Sequence, residues 1–130
     1  MKNFEDFTQP LNSDEHRIAL IICRRFKSKP GKKNIVTNKE MIAGLRNKYS
    51  IKITEPRIRK IIQFIRANGW LTGLIATSSG YYLTENEEDL KSWIESMIER
   101  ENAIRHSRQA GERDLRIIQD RNKGSQPSLF

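Results

Sequence analysis

Residues 54–69, TEPRIRKIIQFIRANG, limit the possible folds more than any other segment, because they describe a helix with one apolar side. Four residues recur at i, i+3, i+4 and i+7 and fall in one stripe at 100° per residue: Ile58, Ile61, Ile62 and Ile65. Thr54 is a good N-cap, Pro56 suits the first turn, and Gly69 can adopt the left-handed conformation that closes a helix. The sequence therefore predicts an amphipathic helix whose isoleucines face a core.

The opposite side of this helix is predicted to be exposed and cationic. Its members are Pro56, Lys60, Gln63 and Ala67 at the centre, Arg59 and Arg66 on one shoulder, and Arg57 and Phe64 on the other. Glu55 is the single acid of the segment. A face of this kind is often only a solvated surface, and the alternative is a surface that binds an anionic partner.

The distribution of charge favours the anionic partner. The chain has 130 residues, which suits one domain with tails, and a net charge of +8. Residues 1–84 contain 16 Lys and Arg against 6 Asp and Glu, so the basic excess belongs to the first two-thirds of the chain. The electrostatic field of this basic excess attracts polyanions, of which nucleic acid is the simplest candidate. It would also attract an anionic membrane surface.

Nothing in the sequence indicates a membrane protein or a secreted one. The longest apolar run, residues 18–23, is far too short to cross a bilayer, and the N-terminus lacks the layout of a signal peptide. Cys23 is the single cysteine and lies inside that run, so we expect a buried thiol and no intramolecular disulfide. We expect a soluble intracellular protein that does not bind a membrane.

The chain before residue 54 predicts an arm and two further helices. Residues 1–11 form the arm, and Asn12 with Glu15 resembles a capping box that opens the first helix. A basic loop with Lys32 and Lys33 follows, then a possible short strand at residues 34–36. Thr37-Asn38-Lys39-Glu40 is a capping box for the second helix, which a short connection joins to the third, as in a helix-turn-helix.

After residue 69 the pattern predicts a hairpin and a fourth helix. Two short strands flank the turn at residues 77–80, and the capping pair Thr84 and Glu87 opens a helix over residues 85–110. This helix carries an apolar stripe that either packs on its own domain or pairs two chains: Leu90, Trp93, Ile94, Met97 and Ile104. We expect Gly111 to interrupt it and residues 111–130 to form a flexible tail.

The order of elements over residues 12–84 resembles the winged-helix DNA-binding fold. The segments TNKEMIAGL, SIKITEPRIRKIIQFIR, GLIATSSGYYLTENEEDL and WIESMIERENAI resemble small winged-helix proteins of tailed bacteriophages and prophages, often encountered among replication genes. The resemblance implies a mainly α-helical fold with a small β-hairpin wing, located in the bacterial cytoplasm. The turn of this wing, residues 77–80, carries no Lys or Arg.

The exposed side of the third helix gives the predicted contacts with duplex DNA. We expect Arg57, Lys60 and Gln63 to reach base edges in the major groove, where Arg pairs with guanine and Gln with adenine. The remaining basic residues would hold phosphates. The full predicted DNA-binding set is Lys32, Lys33, Lys39, Thr54, Arg57, Arg59, Lys60, Gln63 and Arg66.

The last five residues, Gln126-Pro127-Ser128-Leu129-Phe130, resemble the short peptide by which bacterial proteins dock on the replicative sliding clamp. Pro127 departs from the usual leucine, and the other four positions agree. The resemblance implies that Leu129 and Phe130 enter an apolar pocket of the clamp, that Gln126 sets the register, and that Ser128 completes the motif.

No pattern in the sequence indicates an enzyme. His16 and His106 are far apart and have no Cys or His at metal-ligand spacing, and no phosphate-binding Gly-rich loop is present. The acids of residues 85–89 suit the first turn of a helix better than a metal site. We therefore expect no cofactor, metal or small-molecule substrate.

Three functions remain open from the sequence. The leading one is a phage-type replication accessory that binds duplex DNA and the bacterial sliding clamp. The second is a dimeric transcription regulator, which differs from the first by the absence of clamp binding. The third is a protein-interaction module in phage replication without direct DNA binding, which salt-dependent DNA affinity would distinguish.

Overall fold

The computed structural model describes residues 10–124. These residues form α1 (Ser13–Ser28), a 3₁₀ turn (Lys32–Asn34), α2 (Asn38–Tyr49), α3 (Glu55–Ala67), β1 (Leu74–Thr77), β2 (Gly80–Leu83) and α4 (Glu87–Gly124). The protein is mainly helical with one antiparallel hairpin, as predicted. The chain divides into one unit that ends at Leu90 and a second that begins at Lys91.

Capping boxes start α1 and α2 where the sequence predicts them. At α1 the N–H of Glu15 donates to Asn12 Oδ1 at 2.9 Å, and the N–H of Asn12 donates to Glu15 Oε1 at 3.1 Å. At α2 the N–H of Glu40 donates to Thr37 Oγ1 at 3.1 Å, and the Thr37 N–H returns a bond of 3.0 Å to Glu40 Oε1. Each box satisfies backbone donors that the first turn would leave without partners.

The start of α3 differs from the prediction in two ways. Thr54 is the N-cap residue, but its side chain makes no capping hydrogen bond. Pro56, which we predicted on the exposed side, is buried. At the other end the prediction is confirmed, because Gly69 has a φ of 67° in the left-handed region.

The core lies among α1, α2, α3 and the hairpin. The four isoleucines predicted to face inward from α3 are buried, with Ile62 only 2% exposed. They meet apolar side chains of the other elements: Ile18, Ile22 and Phe26 of α1, Met41 and Leu45 of α2, and Leu74 of β1. Burial of these side chains, at ~1.5–3 kcal/mol each, holds α3 with its opposite side outward.

The hairpin also binds the segment before α2. Leu74 pairs with Leu83 and Thr77 with Gly80, and Val36 forms a single bridge to Tyr81. Gly80 has a φ of 126°, and a Cβ there would collide with the carbonyl oxygen of Val36. The short strand predicted at residues 34–36 is present only as the single bridge between Val36 and Tyr81.

The predicted capping box of α4 is wrong. Asn86 caps the helix, because its Oδ1 accepts the N–H groups of Glu88 at 2.8 Å and Asp89 at 3.3 Å. Thr84 instead accepts the Asn86 N–H at 2.9 Å and donates its hydroxyl to Asp89 Oδ2 at 3.2 Å. Glu88 and Asp89 thus take part in the hydrogen bonds that cap the N-terminus of α4.

The predicted end of α4 is also wrong. The helix does not stop near residue 110 but continues through Gly111 to Gly124, so residues 111–124 are not a flexible tail. A glycine inside a helix costs only about 1 kcal/mol relative to alanine, and the flanking Arg, Gln, Glu and Leu residues favour the helix. Among residues 10–124, no helix combines the length and apolar character needed to span a membrane.

Candidate nucleic-acid interface

The exposed side of α3 carries most of the predicted DNA-binding residues of this helix. Arg59, Gln63 and Arg66 are exposed and Lys60 is half-buried. Lys60 and Gln63 lie opposite the isoleucine stripe, and Arg59 and Arg66 lie on one flank between the two. The helix can present these side chains together because the opposite stripe is fastened to the core along its whole length. This surface, Arg59, Lys60, Gln63 and Arg66, is called the α3 face below.

Arg57, which we predicted to reach a DNA base, does not belong to the α3 face. Its Nε donates to Glu15 Oε2 at 2.7 Å, and its Nη2 donates to Glu15 Oε1 at 2.6 Å and to the carbonyl of Pro10 at 3.0 Å. The two side chains are only 14% and 9% exposed. Arg57 therefore fastens α3 to the start of α1.

The carboxylate of Glu15 is suited to this role by its surroundings. The hydrogen bonds from Arg57 lower the pKa of Glu15 from its ordinary value of 4.5, and the Asn12 N–H contributes in the same direction. Burial acts against both by disfavouring the charged form. Glu15 thus stays ionised while it caps α1 and binds Arg57.

Phe64 occupies the same shoulder of α3 as Arg57 and is likewise held by packing. Its ring meets His16 of α1 edge to face at 4.9 Å between centroids, and it meets Trp70 similarly at 5.0 Å. Together with the Arg57–Glu15 ion pair, the contact between Phe64 and His16 packs one flank of α3 against α1. The other flank, which holds Arg59, stays exposed.

Arg66 lies where the α3 face meets the hairpin. Its Nη2 donates to the carbonyl oxygen of Leu74 at 3.3 Å, and burial lowers the pKa of the guanidinium. Arg66 therefore has a structural contact to β1, although the residue as a whole is exposed. We treat it as a secondary member of the α3 face.

The N-terminus of α2 lies beside that of α3. Asn38 Nδ2 donates to Glu55 Oε1 at 3.4 Å, which brings the first residues of both helices together. Lys39 follows Asn38, Thr54 precedes Glu55, and both are exposed. The structure thus places these two predicted residues at one edge of the helix pair.

Lys32 and Lys33 lie on an exposed turn that α1 and β2 hold in place. Arg25 Nη1 donates to the carbonyl of Asn34 at 2.9 Å, and the Gly31 N–H donates to the carbonyl of Leu83 at 2.7 Å. The sequence did not reveal the role of Arg25, because its partner is a backbone carbonyl in another element. The turn that carries the two lysines is therefore a defined part of the first unit.

The remaining predicted sites fall outside this surface. Gln126, Ser128, Leu129 and Phe130 lie beyond the described residues. In α4, Leu90 and Trp93 are half-buried, whereas Ile94, Met97 and Ile104 are exposed. Within residues 10–124, no group of His, Cys, Asp and Glu side chains is placed to hold a metal ion.

Comparisons with protein-family models, curated proteins and solved structures give no match to this chain.

Proposed function

We propose that the protein binds duplex DNA with the α3 face, as a winged-helix domain in which α2 and α3 form the helix-turn-helix and β1 and β2 the wing. The observation that carries the proposal is the two-sided character of α3. Its isoleucines are buried, while Lys60 and Gln63 occupy the opposite side and Arg59 the exposed flank beside them. A helix held in this way is the element that the major groove admits.

The order and spacing of the elements support this assignment. Only residues 50–54 separate α2 from α3, and Ser50 at a φ of 55° turns the chain between them. The hairpin follows α3 after six residues and is joined to the segment before α2 through Val36 and Tyr81. This is the order of elements in a winged helix.

The proposed roles follow from exposure and chemistry. Lys60 and Gln63 would meet base edges, because they lie near the centre of the α3 face. Arg59 and Lys39 would hold phosphates, and the N-terminus of α2 beside Lys39 would add backbone donors. Lys32 and Lys33 would hold phosphates farther along the duplex. Arg57 is left out of the proposed interface, since its Nε and Nη2 donate to Glu15 and Pro10.

The DNA proposal is tested by fluorescence anisotropy with random-sequence duplex DNA over a range of salt concentrations. Arg59→Ala and Lys39→Ala should each weaken binding and reduce the slope of log affinity against log salt by about 1. Arg24→Ala is the matched control, because Arg24 is an exposed arginine of α1 outside the proposed interface. Equal losses in Arg24→Ala and Arg59→Ala would contradict the proposed interface. The absence of salt-dependent DNA binding would contradict the proposal and favour a protein-interaction module.

Gln63 needs a different experiment because it carries no charge. Selection of preferred sequences from a random DNA pool should give different results for wild-type protein and Gln63→Ala. Loss of a bidentate contact with adenine should cost ~1–3 kcal/mol on the preferred site and little on other sequences. Identical selected sequences would show that Gln63 does not read a base.

The second part of the proposal is that residues 126–130 dock on the bacterial sliding clamp, as a replication accessory would. The support is the sequence of the peptide and its position two residues beyond the end of α4 at Gly124. Residues 121–124, which we predicted to belong to a flexible tail, are helical.

Clamp binding is tested with the full-length protein and a purified bacterial clamp. The double variant Leu129→Ala, Phe130→Ala should abolish binding, since these side chains would be the apolar anchors. Pro127→Leu, which restores the usual motif, should strengthen it. Equal binding by wild-type and double variant, or binding by neither, would remove the clamp from the proposal and favour a transcription regulator.

A further inference from the structure

The part of α4 that begins at Lys91 carries an apolar stripe much longer than the sequence predicted. Five of its exposed residues recur at intervals that match one side of a helix: Ile94, Met97, Ile104, Leu115 and Ile118. Ile104 is 69% exposed. Because Gly111 does not end the helix, Leu115 and Ile118 continue the side begun by Ile94 and Met97.

Two charged residues interrupt this stripe at symmetric positions. Glu101 lies three residues before Ile104 and Arg108 lies four residues after it, and both fall on the apolar side at 100° per residue. They are seven residues apart, about 10 Å along the axis, so they do not pair within one helix. Arg108 instead forms an exposed ion pair with Glu112 at 3.0 Å, a kind of contact that contributes little free energy.

The charged residues of this helix, taken all together, are also divided along its length. Residues 87–101 hold six acidic and two basic side chains, whereas residues 108–124 hold five basic and three acidic ones. The macrodipole accounts for acids in the first turn and bases in the last, but its effect is confined to those turns. Glu101 lies beyond the first turn and on the apolar side, so the macrodipole does not account for it.

We propose that α4 pairs with α4 of a second copy of this chain in an antiparallel arrangement centred on Ile104. In that register Glu101 of each chain lies level with Arg108 of the other, to within one residue's rise of about 1.5 Å. Ile94 then lies level with Leu115, and Met97 lies level with Gly111, whose missing side chain leaves room for it. Glu101, in the acidic part of each helix, thus faces Arg108 in the basic part of its neighbour.

The charges select the antiparallel orientation over the parallel one. A parallel pair would set Glu101 against Glu101 and Arg108 against Arg108 inside the apolar seam, and it would align the two acidic parts. Like charges at such positions disfavour association, and opposite charges specify orientation and partner. This inference goes beyond the proposed DNA binding and does not depend on it.

The experiment uses charge reversal in the full-length protein, with sedimentation equilibrium from micromolar to submillimolar concentration. The wild-type mass should rise with concentration to twice 15.2 kDa. Glu101→Arg and Arg108→Glu should each weaken the dimer about tenfold or more, because each places like charges level with one another twice. The double variant Glu101→Arg, Arg108→Glu should restore the dimer, since the pairs are re-formed with their signs exchanged.

Glu99→Arg is the matched control. It makes the same change of charge two residues away, on the side of the helix opposite the stripe, and should leave the dimer intact. Circular dichroism of each variant shows whether the helix is retained. A wild-type protein that stays at 15.2 kDa overturns the proposal. A dimer that the single charge reversals leave unchanged also overturns it, because a parallel pair would tolerate them. A double variant that fails to restore the dimer overturns it as well.

Discussion

Arg57 of α3 binds Glu15 of α1 through two hydrogen bonds of 2.6 and 2.7 Å that join residues 42 positions apart. The same carboxylate closes the capping box of α1 by accepting the N–H of Asn12. One acidic side chain therefore fixes both the start of α1 and the position of α3 against it. This contact turns Arg57 away from the α3 face and makes it part of the scaffold.

The first prediction concerns the stability of this ion pair. Arg57→Ala should lower the free energy of unfolding by about 2–4 kcal/mol, because it leaves the Glu15 carboxylate largely buried without its partner. Arg59→Ala, on the exposed side of the same helix, should change it by less than ~0.5 kcal/mol. Urea unfolding monitored by circular dichroism measures both. Equal effects of the two substitutions would show that the pair adds no net stability.

The second prediction is the pH dependence that Glu15 causes. Its pKa is lowered in the folded state, so its contribution to stability is complete above the ordinary value of 4.5 and is lost as the pH falls through the lowered pKa. Unfolding free energy should therefore decrease below about pH 4.5.

Glu15→Gln isolates this contribution, because Gln does not titrate. Its unfolding free energy should lie below that of the wild type at neutral pH, and the two curves should converge as the solution is acidified. Glu40, whose pKa is lowered by its hydrogen bonds with Thr37, remains in both proteins and cancels in the comparison. A constant difference between the curves at all pH values would contradict the assignment.

The third prediction compares two threonines at helix N-caps. Thr37→Ala should destabilise the protein by about 1 kcal/mol, because the Thr37 hydroxyl accepts the Glu40 N–H. Thr54→Ala should cost less than ~0.5 kcal/mol, because its side chain forms no capping bond. Chemical unfolding of the two variants tests the difference, and a larger loss in Thr54→Ala would reverse the assignment of the caps.

The fourth prediction compares two glycines with positive φ. Gly69→Ala should lower the free energy of unfolding by about 1–2 kcal/mol, the strain of a side chain in the left-handed region. Nothing is added to this strain by a collision, because a Cβ at that site meets no atom within 4 Å. Gly80→Ala should cost more, because its Cβ would also collide with the carbonyl of Val36. Amide hydrogen exchange should then be faster at Val36 and Tyr81, which form the bridge beside Gly80. Unchanged exchange at these two amides would contradict the predicted collision.

Features that depend on neighbours in the chain were predictable from the sequence. The isoleucine stripe of α3 follows from a period of 3.6 residues, and the capping boxes of α1 and α2 need partners only three residues apart. The hairpin follows from two short apolar runs around a small polar turn. These signals sufficed for the three helices, the hairpin and their order in the first unit, but not for the 3₁₀ turn or the burial of Pro56.

The end of α4 and its cap show where local signals compete. Gly111 is a sound signal for a helix end, but its cost of about 1 kcal/mol is smaller than the summed preference of the residues on both sides. Thr84 and Asn86 are both good capping residues. Because β2 ends at Leu83 and Thr84 returns a hydrogen bond to Asp89, Asn86 becomes the cap.

The sequence by itself determined that α3 has an apolar side and a cationic side, since both follow from residue spacing along one helix. Only the tertiary structure decided which cations remain on the α3 face. Arg57 and Arg59 are two residues apart and chemically identical, yet one binds Glu15 and the other is exposed. The physical reason is that a buried carboxylate needs a partner of opposite charge, and the packing of α1 on α3 selects which arginine supplies it.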